Sequence, residues 1–175
     1  MDTVLSTLAE REHALTDRCE QLTGSWDERH AALAEAGVFA EYAQVFREYV
    51  LLLDTPGLSE EAIARAVFLL WYETSEPHVY SGVWDLPSAD VERCLRHLDE
   101  RIARSALSED LEWQLAYYFA VNADAFHRVK GLRRIAQWAV HADPLAWRNQ
   151  VRGREFGGQG QLSKYWTSVS RSHAL

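Results

Sequence analysis

The chain has 175 residues and a formal net charge of -8 at pH 7, with 47% hydrophobic and 25% charged residues. This length suits one domain with a substantial buried core, and the composition excludes an intrinsically disordered chain. No apolar run reaches the roughly 18 residues of a membrane-spanning helix, and the N-terminal segment lacks the basic region of a secretory signal, so we expect neither.

Helical periodicity dominates from the start of the chain. Residues 2–22 carry apolar side chains on one stripe and charged ones elsewhere, which is typical of a surface helix. Ser25 followed by Glu28 is a capping-box pattern and predicts a second helix from residue 26, which Gly37 is expected to end.

The next two segments are predicted to form the core. Residues 38–53 have aromatic and aliphatic side chains at helical spacing, and a Thr-Pro-Gly sequence follows them. Ser59 is expected to be the N-cap of a helix over 59–73. Residues 66–72 of that helix are apolar on all sides, which indicates burial on most sides.

An irregular loop is predicted between Glu73 and Asp85, followed by two more helices. Ser88 is expected to cap an outer-layer helix over 88–104, and 109–129 is predicted to be a third core helix. Asn122 falls on the apolar stripe of that helix, so its amide needs a partner, and a carbonyl of the 73–85 loop is the one we expect.

Two further helices are expected at 132–141 and 163–170. The whole chain, 1–175, is therefore predicted to be one all-α domain of about seven helices, either an antiparallel bundle or stacked helical hairpins. Its body is 1–151, and 152–175 is an irregular, glycine-rich, basic and aromatic segment, called the strap below.

Charge is distributed unevenly along the chain. Residues 1–127 contain 24 acidic and nine basic side chains, whereas 128–175 contain two acidic and nine basic ones. Such a split is found in proteins with a nucleic-acid-binding arm, but it also suits a basic end that packs on its own acidic body. We favour the second interpretation.

The glycine-rich sequence of the strap resembles a phosphate-binding loop only superficially. Lys164 follows a serine and not a glycine, and no third glycine follows Gly158 and Gly160, so both the P-loop and the dinucleotide patterns fail. Arg152, Arg154 and Lys164 would still supply positive charge to an anion. The alternative is a turn that folds back and buries aromatic residues such as Trp166.

The 73–85 loop is the second candidate site. Carboxylates and a histidine beside aromatic rings suit acid–base catalysis when burial moves their pKa values towards neutrality. The alternative is a well-packed connection. The candidate contact residues of the loop are Glu73, His78, Tyr80 and Trp84.

Other chemistry finds little support in the sequence. Acid–histidine pairs at helical spacing, such as Asp27 with His30, lie on faces predicted to be solvated, so we expect no metal and no cofactor. Cys19 and Cys94 are far apart, which favours a reducing, cytoplasmic location without disulfides. Trp138 and Trp147 lie near arginines and are interpreted as exposed aromatic residues of an interface or as rings covered by the strap.

Three functions remain open. We favour a non-enzymatic protein-interaction or regulatory module whose partner is another protein. The first alternative is a small-ligand- or phosphate-binding protein or an enzyme, with a site between the 73–85 loop and residues 152–166. The second alternative is nucleic-acid binding by the basic C-terminal region, and no membrane partner is expected.

Overall fold

Ten α-helices make up most of the part of the chain that the structure describes. The computed structural model describes residues 3–152 and 154–172, and Gly153 and residues 173–175 of the strap lie outside the described part. In chain order the helices are α1 (Thr3–Gln21), α2 (Trp26–Glu35), α3 (Val38–Leu51), α4 (Ser59–Ser75), α5 (His78–Ser81), α6 (Ser88–Ala103), α7 (Glu109–Val121), α8 (Arg133–His141), α9 (Trp147–Val151) and α10 (Gln161–Ser172). Two short 3-10 helices lie at Leu52–Asp54 and Asp124–His127.

The described ranges contain no strand, which confirms the all-α prediction. The helix count exceeds seven because short helices such as α5 and α9 form inside segments predicted to be loops or turns.

Helix α4 lies at the centre of the core. Its residues from Ala66 to Trp71 are at most 1% exposed, as the apolar sequence predicts. It is in contact with α3, which precedes it in the sequence, and with α6, α7 and α10, which follow it. A helix surrounded in this way needs no polar face, which explains its composition.

Of the N-caps predicted at Ser25, Ser59 and Ser88, only the one at Ser25 is present. The capping box of α2 is present, because Ser25 Oγ accepts a hydrogen bond from the Glu28 backbone N–H and the Ser25 N–H donates to the Glu28 carboxylate at 2.8 Å. The N-caps predicted at Ser59 and Ser88 are wrong, since each is the first residue inside its helix. Before α6 the cap position belongs to Pro87, whose fixed φ of -60° starts the turn without a side-chain hydrogen bond.

Helix α7 is eight residues shorter than predicted, ending at Val121 instead of 129. Asn122 leaves the helical conformation, and its side-chain amide donates to Thr74 O at 2.9 Å while its carbonyl accepts from the Asp124 N–H at 3.0 Å. The predicted partner within 73–85 is therefore correct, but Asn122 is partly exposed and not buried on the stripe.

The two tryptophans that were interpreted either as exposed interface residues or as rings covered by the strap are largely covered, and rings of α7 contact both of them. Trp147 is 6% exposed and its ring centroid lies 5.1 Å from that of Tyr117. Trp138 is half-buried against Phe119, at 5.9 Å between centroids. Helix α9 turns Trp147 towards the core, so these rings do not form the exposed interface that their neighbouring arginines indicated.

Candidate functional site

The strap lies against the body of the molecule. Its helix α10 buries Trp166 completely, with the Trp113 and Tyr117 rings at 4.6 and 4.9 Å between centroids. Two of its basic side chains form ion pairs with acidic residues of the body: Arg154 makes two hydrogen bonds to the Asp110 carboxylate at 2.7 and 2.5 Å, and Lys164 lies 2.7 Å from Glu20. The exposed Arg152 follows α9.

A buried carboxylate fixes the start of α10. Glu12 of α1 is fully buried and accepts hydrogen bonds from the Tyr49 hydroxyl and, at 2.8 Å, from the Gln161 N–H. Gly160 approaches so closely that a Cβ there would lie 2.7 Å from the Glu12 carboxyl group, and its φ of +60° also favours glycine. Burial raises the pKa of Glu12 to about 7, although its hydrogen bonds and the charge of Arg65 act in the opposite direction.

Arg65 of α4 holds the strap at a second point. Its fully buried guanidinium donates to Gly158 O at 2.9 Å, to Leu5 O at 2.8 Å and to the Tyr49 hydroxyl at 3.0 Å, and it is paired with Glu61. Because the guanidinium is closed to solvent and donates to groups from three separate parts of the fold, this network closes the fold and offers no position for a substrate.

An open groove of about 870 Å³ lies beside α10. Glu76 and Tyr80 line it from the segment predicted as a loop, and Lys164 lines it from the strap. The groove therefore lies in the place predicted for a ligand, but most of the predicted residues lie elsewhere.

The residues predicted to converge there have separate partners. Glu73 accepts a hydrogen bond from the Leu86 N–H at 2.8 Å and is paired with Arg128, so its carboxylate anchors the chain after α5. His78 contacts His30, and Arg154 is bound to Asp110 as described above. The predicted site of Glu73, His78, Arg152, Arg154 and Lys164 is thus divided among different surfaces.

Three exposed aromatic side chains are linked through ring contacts with His78 and with one another. Trp26 of α2, Tyr80 of α5 and Trp84 of the following loop are 49%, 57% and 44% exposed. The His78 ring lies 4.1 Å from Trp84 and 5.3 Å from Trp26 between centroids, and Trp26 lies 6.5 Å from Tyr80. We call Trp26, His78, Tyr80 and Trp84 the aromatic patch.

His30 lies next to the aromatic patch. Its Nδ1 is 2.9 Å from His78 Nε2, and the two rings are nearly perpendicular, at 89°. The His30 ring also packs on Phe39, at 5.3 Å. Partial burial lowers the pKa of His78, and the neighbouring His30 lowers it further.

A buried arginine positions the aromatic patch. Arg29 donates hydrogen bonds to Val79 O at 3.1 and 3.0 Å and to Cys19 O at 3.0 Å, which joins α5 to α1. Its guanidinium lies 4.6 Å from the centre of the Tyr80 ring. Gly82 ends α5 with φ +74°, and a Cβ there would lie 2.7 Å from Cys19 Sγ, so the chain leading to Trp84 runs tightly against the body.

The segments that carry the aromatic patch are acidic. Residues 23–37 and 73–87 contain six acidic side chains and one basic side chain, the buried Arg29. Asp27 and Asp85, each next to a tryptophan of the aromatic patch, are exposed. A partner surface that is basic and contains apolar groups would be complementary.

Two residues of this surface were missed in the sequence. Trp26, His30 and Leu33 of α2 are at positions i, i+4 and i+7, so the two rings lie on the same side of the helix as the buried Leu33. This spacing was the available signal, but His30 was interpreted only as a pair with Asp27 on a face predicted to be solvated.

Comparisons with family models, curated proteins and solved structures gave no match. Within the described part of the chain, no three His, Cys, Asp or Glu side chains form a cluster suited to a metal ion. None of the described helices is long and apolar enough to cross a membrane.

Proposed function

We propose that the protein is a non-enzymatic interaction module that binds another protein through the aromatic patch. The observation that carries this proposal is a group of exposed rings in mutual contact: Trp26 and Trp84 pack on His78, and Tyr80 packs on Trp26. Tryptophan and tyrosine are enriched in binding hot spots because a large rigid ring gains contact area at a small entropic cost.

The partner segment is basic and contains apolar side chains. Asp27 and Asp85 supply negative charge next to the rings, and the segments around them present no exposed basic residue. Charge complementarity of this kind speeds association and weakens with salt. The proposal includes a cytoplasmic location, which the two unpaired, buried thiols of Cys19 and Cys94 support.

The first test is affinity capture with matched variants. Immobilised wild type is expected to retain a protein that the Trp26→Ala/Trp84→Ala variant does not retain. Val140→Ser, which changes an 81% exposed residue of α8, is expected to retain it as the wild type does. Loss of the protein from both variants, or from neither, would contradict the role of the aromatic patch.

The second test concerns charge. Asp27→Lys/Asp85→Lys is expected to weaken binding of the captured protein and to reduce its salt dependence, whereas Glu10→Lys on the exposed face of α1 is not. If binding to the wild type and to both variants depends equally on salt, the partner is not recognised by its positive charge.

The groove beside α10 supports a ligand-binding protein as the second candidate function, because it lies between the segment of Tyr80 and the strap. Nucleic-acid binding has less support, since Arg128, Arg154 and Lys164 are paired with acidic residues of the body. Retention on heparin that falls steeply with salt would favour nucleic acid over the proposed protein partner.

A further inference from the structure

Two imidazole rings from distant parts of the chain meet beside the aromatic patch. His30 comes from α2 and His78 from α5, and they are 48 positions apart in the sequence. Their facing nitrogens, Nδ1 of His30 and Nε2 of His78, are 2.9 Å apart, and both rings are partly buried. The tertiary fold therefore creates this pair, which local sequence spacing does not.

Both rings are held by their surroundings. His30 packs on Phe39 at 5.3 Å, and His78 packs on Trp84 at 4.1 Å and on Phe39 at 5.7 Å. The hydrogen bonds from Arg29 to Val79 O fix α5 relative to α2. These contacts keep the two imidazoles side by side, so an ion requires only local rotation of the rings and no rearrangement of α2 and α5.

We propose that His30 and His78 together bind one divalent transition-metal ion of borderline softness, such as Cu²⁺, Ni²⁺ or Zn²⁺. Imidazole nitrogen is a preferred ligand of these ions. Two nitrogens at about 2.0–2.1 Å from one ion lie about 2.8–3.4 Å apart for bond angles between square and tetrahedral. The observed separation of 2.9 Å falls at the lower end, so neither helix has to move. One of the facing nitrogens carries the proton of their hydrogen bond; on metal binding this proton moves through solvent to the other nitrogen of the same ring, and both rings rotate to direct their lone pairs at the ion.

Water completes the coordination of such a site, because these two side chains are its only protein ligands among the described residues. The ion exchanges with solvent, and its affinity follows the general order in which Cu²⁺ binds more tightly than Ni²⁺ or Zn²⁺. Metal binding here is independent of the proposed protein partner and is measured in its absence.

The test uses the full chain, freed of metal by a chelator and titrated with Cu²⁺ at neutral pH. Calorimetry is expected to give one tight equivalent, and tryptophan fluorescence is expected to fall with the same midpoint because Trp84 contacts His78. His78→Gln and His30→Gln are each expected to weaken binding at least about tenfold, since even the loss of a supporting group around a metal costs about that much. His13→Gln, which changes an exposed histidine of α1, is the matched control and is expected to bind as the wild type does.

Trp84→Phe separates this site from adventitious binding. It is expected to keep the single equivalent but to lose much of the quenching, because the reporter ring next to His78 is gone. Unchanged affinity in both folded histidine variants, checked by circular dichroism, would overturn the proposal, as would quenching that does not depend on Trp84. If one histidine variant fails to fold, the other still decides the question.

Discussion

Replacement of Glu12 tests whether a buried carboxylate holds the strap against the body. Its carboxylate is fully buried, and burial raises its pKa in the folded protein to about 7 from an ordinary value of 4.5. Such a difference means that the fold disfavours the charged carboxylate, relative to the unfolded chain, by roughly 3 kcal/mol.

The sign of the pH dependence follows from the raised pKa. The folded protein binds the proton of Glu12 more tightly than the unfolded chain does, so this group makes the protein more stable as the pH falls from 7 towards 4.5. The full cost of the buried charge is present above pH 7 and is absent below 4.5. Glu12→Gln removes this titration, while its amide oxygen can still accept the hydrogen bond from the Gln161 N–H.

The measurement is the free energy of unfolding in urea for wild type and Glu12→Gln at several pH values. Other groups, including the histidines, titrate in both proteins and cancel in the difference. On going from high to low pH across this range, the wild type is expected to gain roughly 3 kcal/mol relative to Glu12→Gln. Glu10→Gln, on the exposed face of the same helix, is expected to differ from wild type by a nearly constant amount. A constant difference for Glu12→Gln would refute the reasoning, because it would show that the buried carboxylate titrates near its ordinary pKa.

Three further substitutions test how the strap is attached, each measured by urea unfolding. Gly160→Ala is expected to lower the free energy of unfolding by about 1–3 kcal/mol, because the new Cβ would meet the Glu12 carboxyl group at a backbone position with positive φ. Gly157→Ala is the control and is expected to lower it less, because there is open space around Gly157. Equal losses in the two variants would contradict the close approach of Gly160 to Glu12. Trp166→Ala removes a fully buried ring and is expected to cost roughly 3–5 kcal/mol; a loss below about 1 kcal/mol would mean that α10 detaches easily. Arg154→Gln breaks a partly exposed ion pair and is expected to cost at most about 1 kcal/mol; a much larger loss would show that charge, rather than aromatic burial, holds the strap.

Local rules predicted the features that depend on neighbouring residues. The capping box of Ser25 and Glu28 and the buried helix α4 follow from spacing within one segment, and both are present. The end of α7 could not be read in this way, since it depends on a hydrogen bond from Asn122 to Thr74, 48 positions away. Long-range contacts of this kind override local helix propensity.

The surroundings of Glu12 and the aromatic patch could likewise be predicted only in part from the sequence, because both depend on contacts between distant segments. Glu12 falls between Leu8 and Leu15 on the apolar stripe of α1, so its burial could have been predicted from the sequence, but its backbone partner at Gln161 could not. The aromatic patch was predicted only in part, as His78, Tyr80 and Trp84. Its remaining ring, Trp26, comes from a different helix and reaches His78 only after the chain has folded.

The central proposal is that the aromatic patch binds a basic segment of another protein. Its most direct test is calorimetric titration of the captured partner into wild type, Trp84→Ala and Val140→Ser. If the aromatic patch is a hot spot, Trp84→Ala weakens binding by at least about 2 kcal/mol, or about 30-fold, while Val140→Ser binds as the wild type does. Equal affinity of Trp84→Ala and wild type for the partner would contradict the proposal.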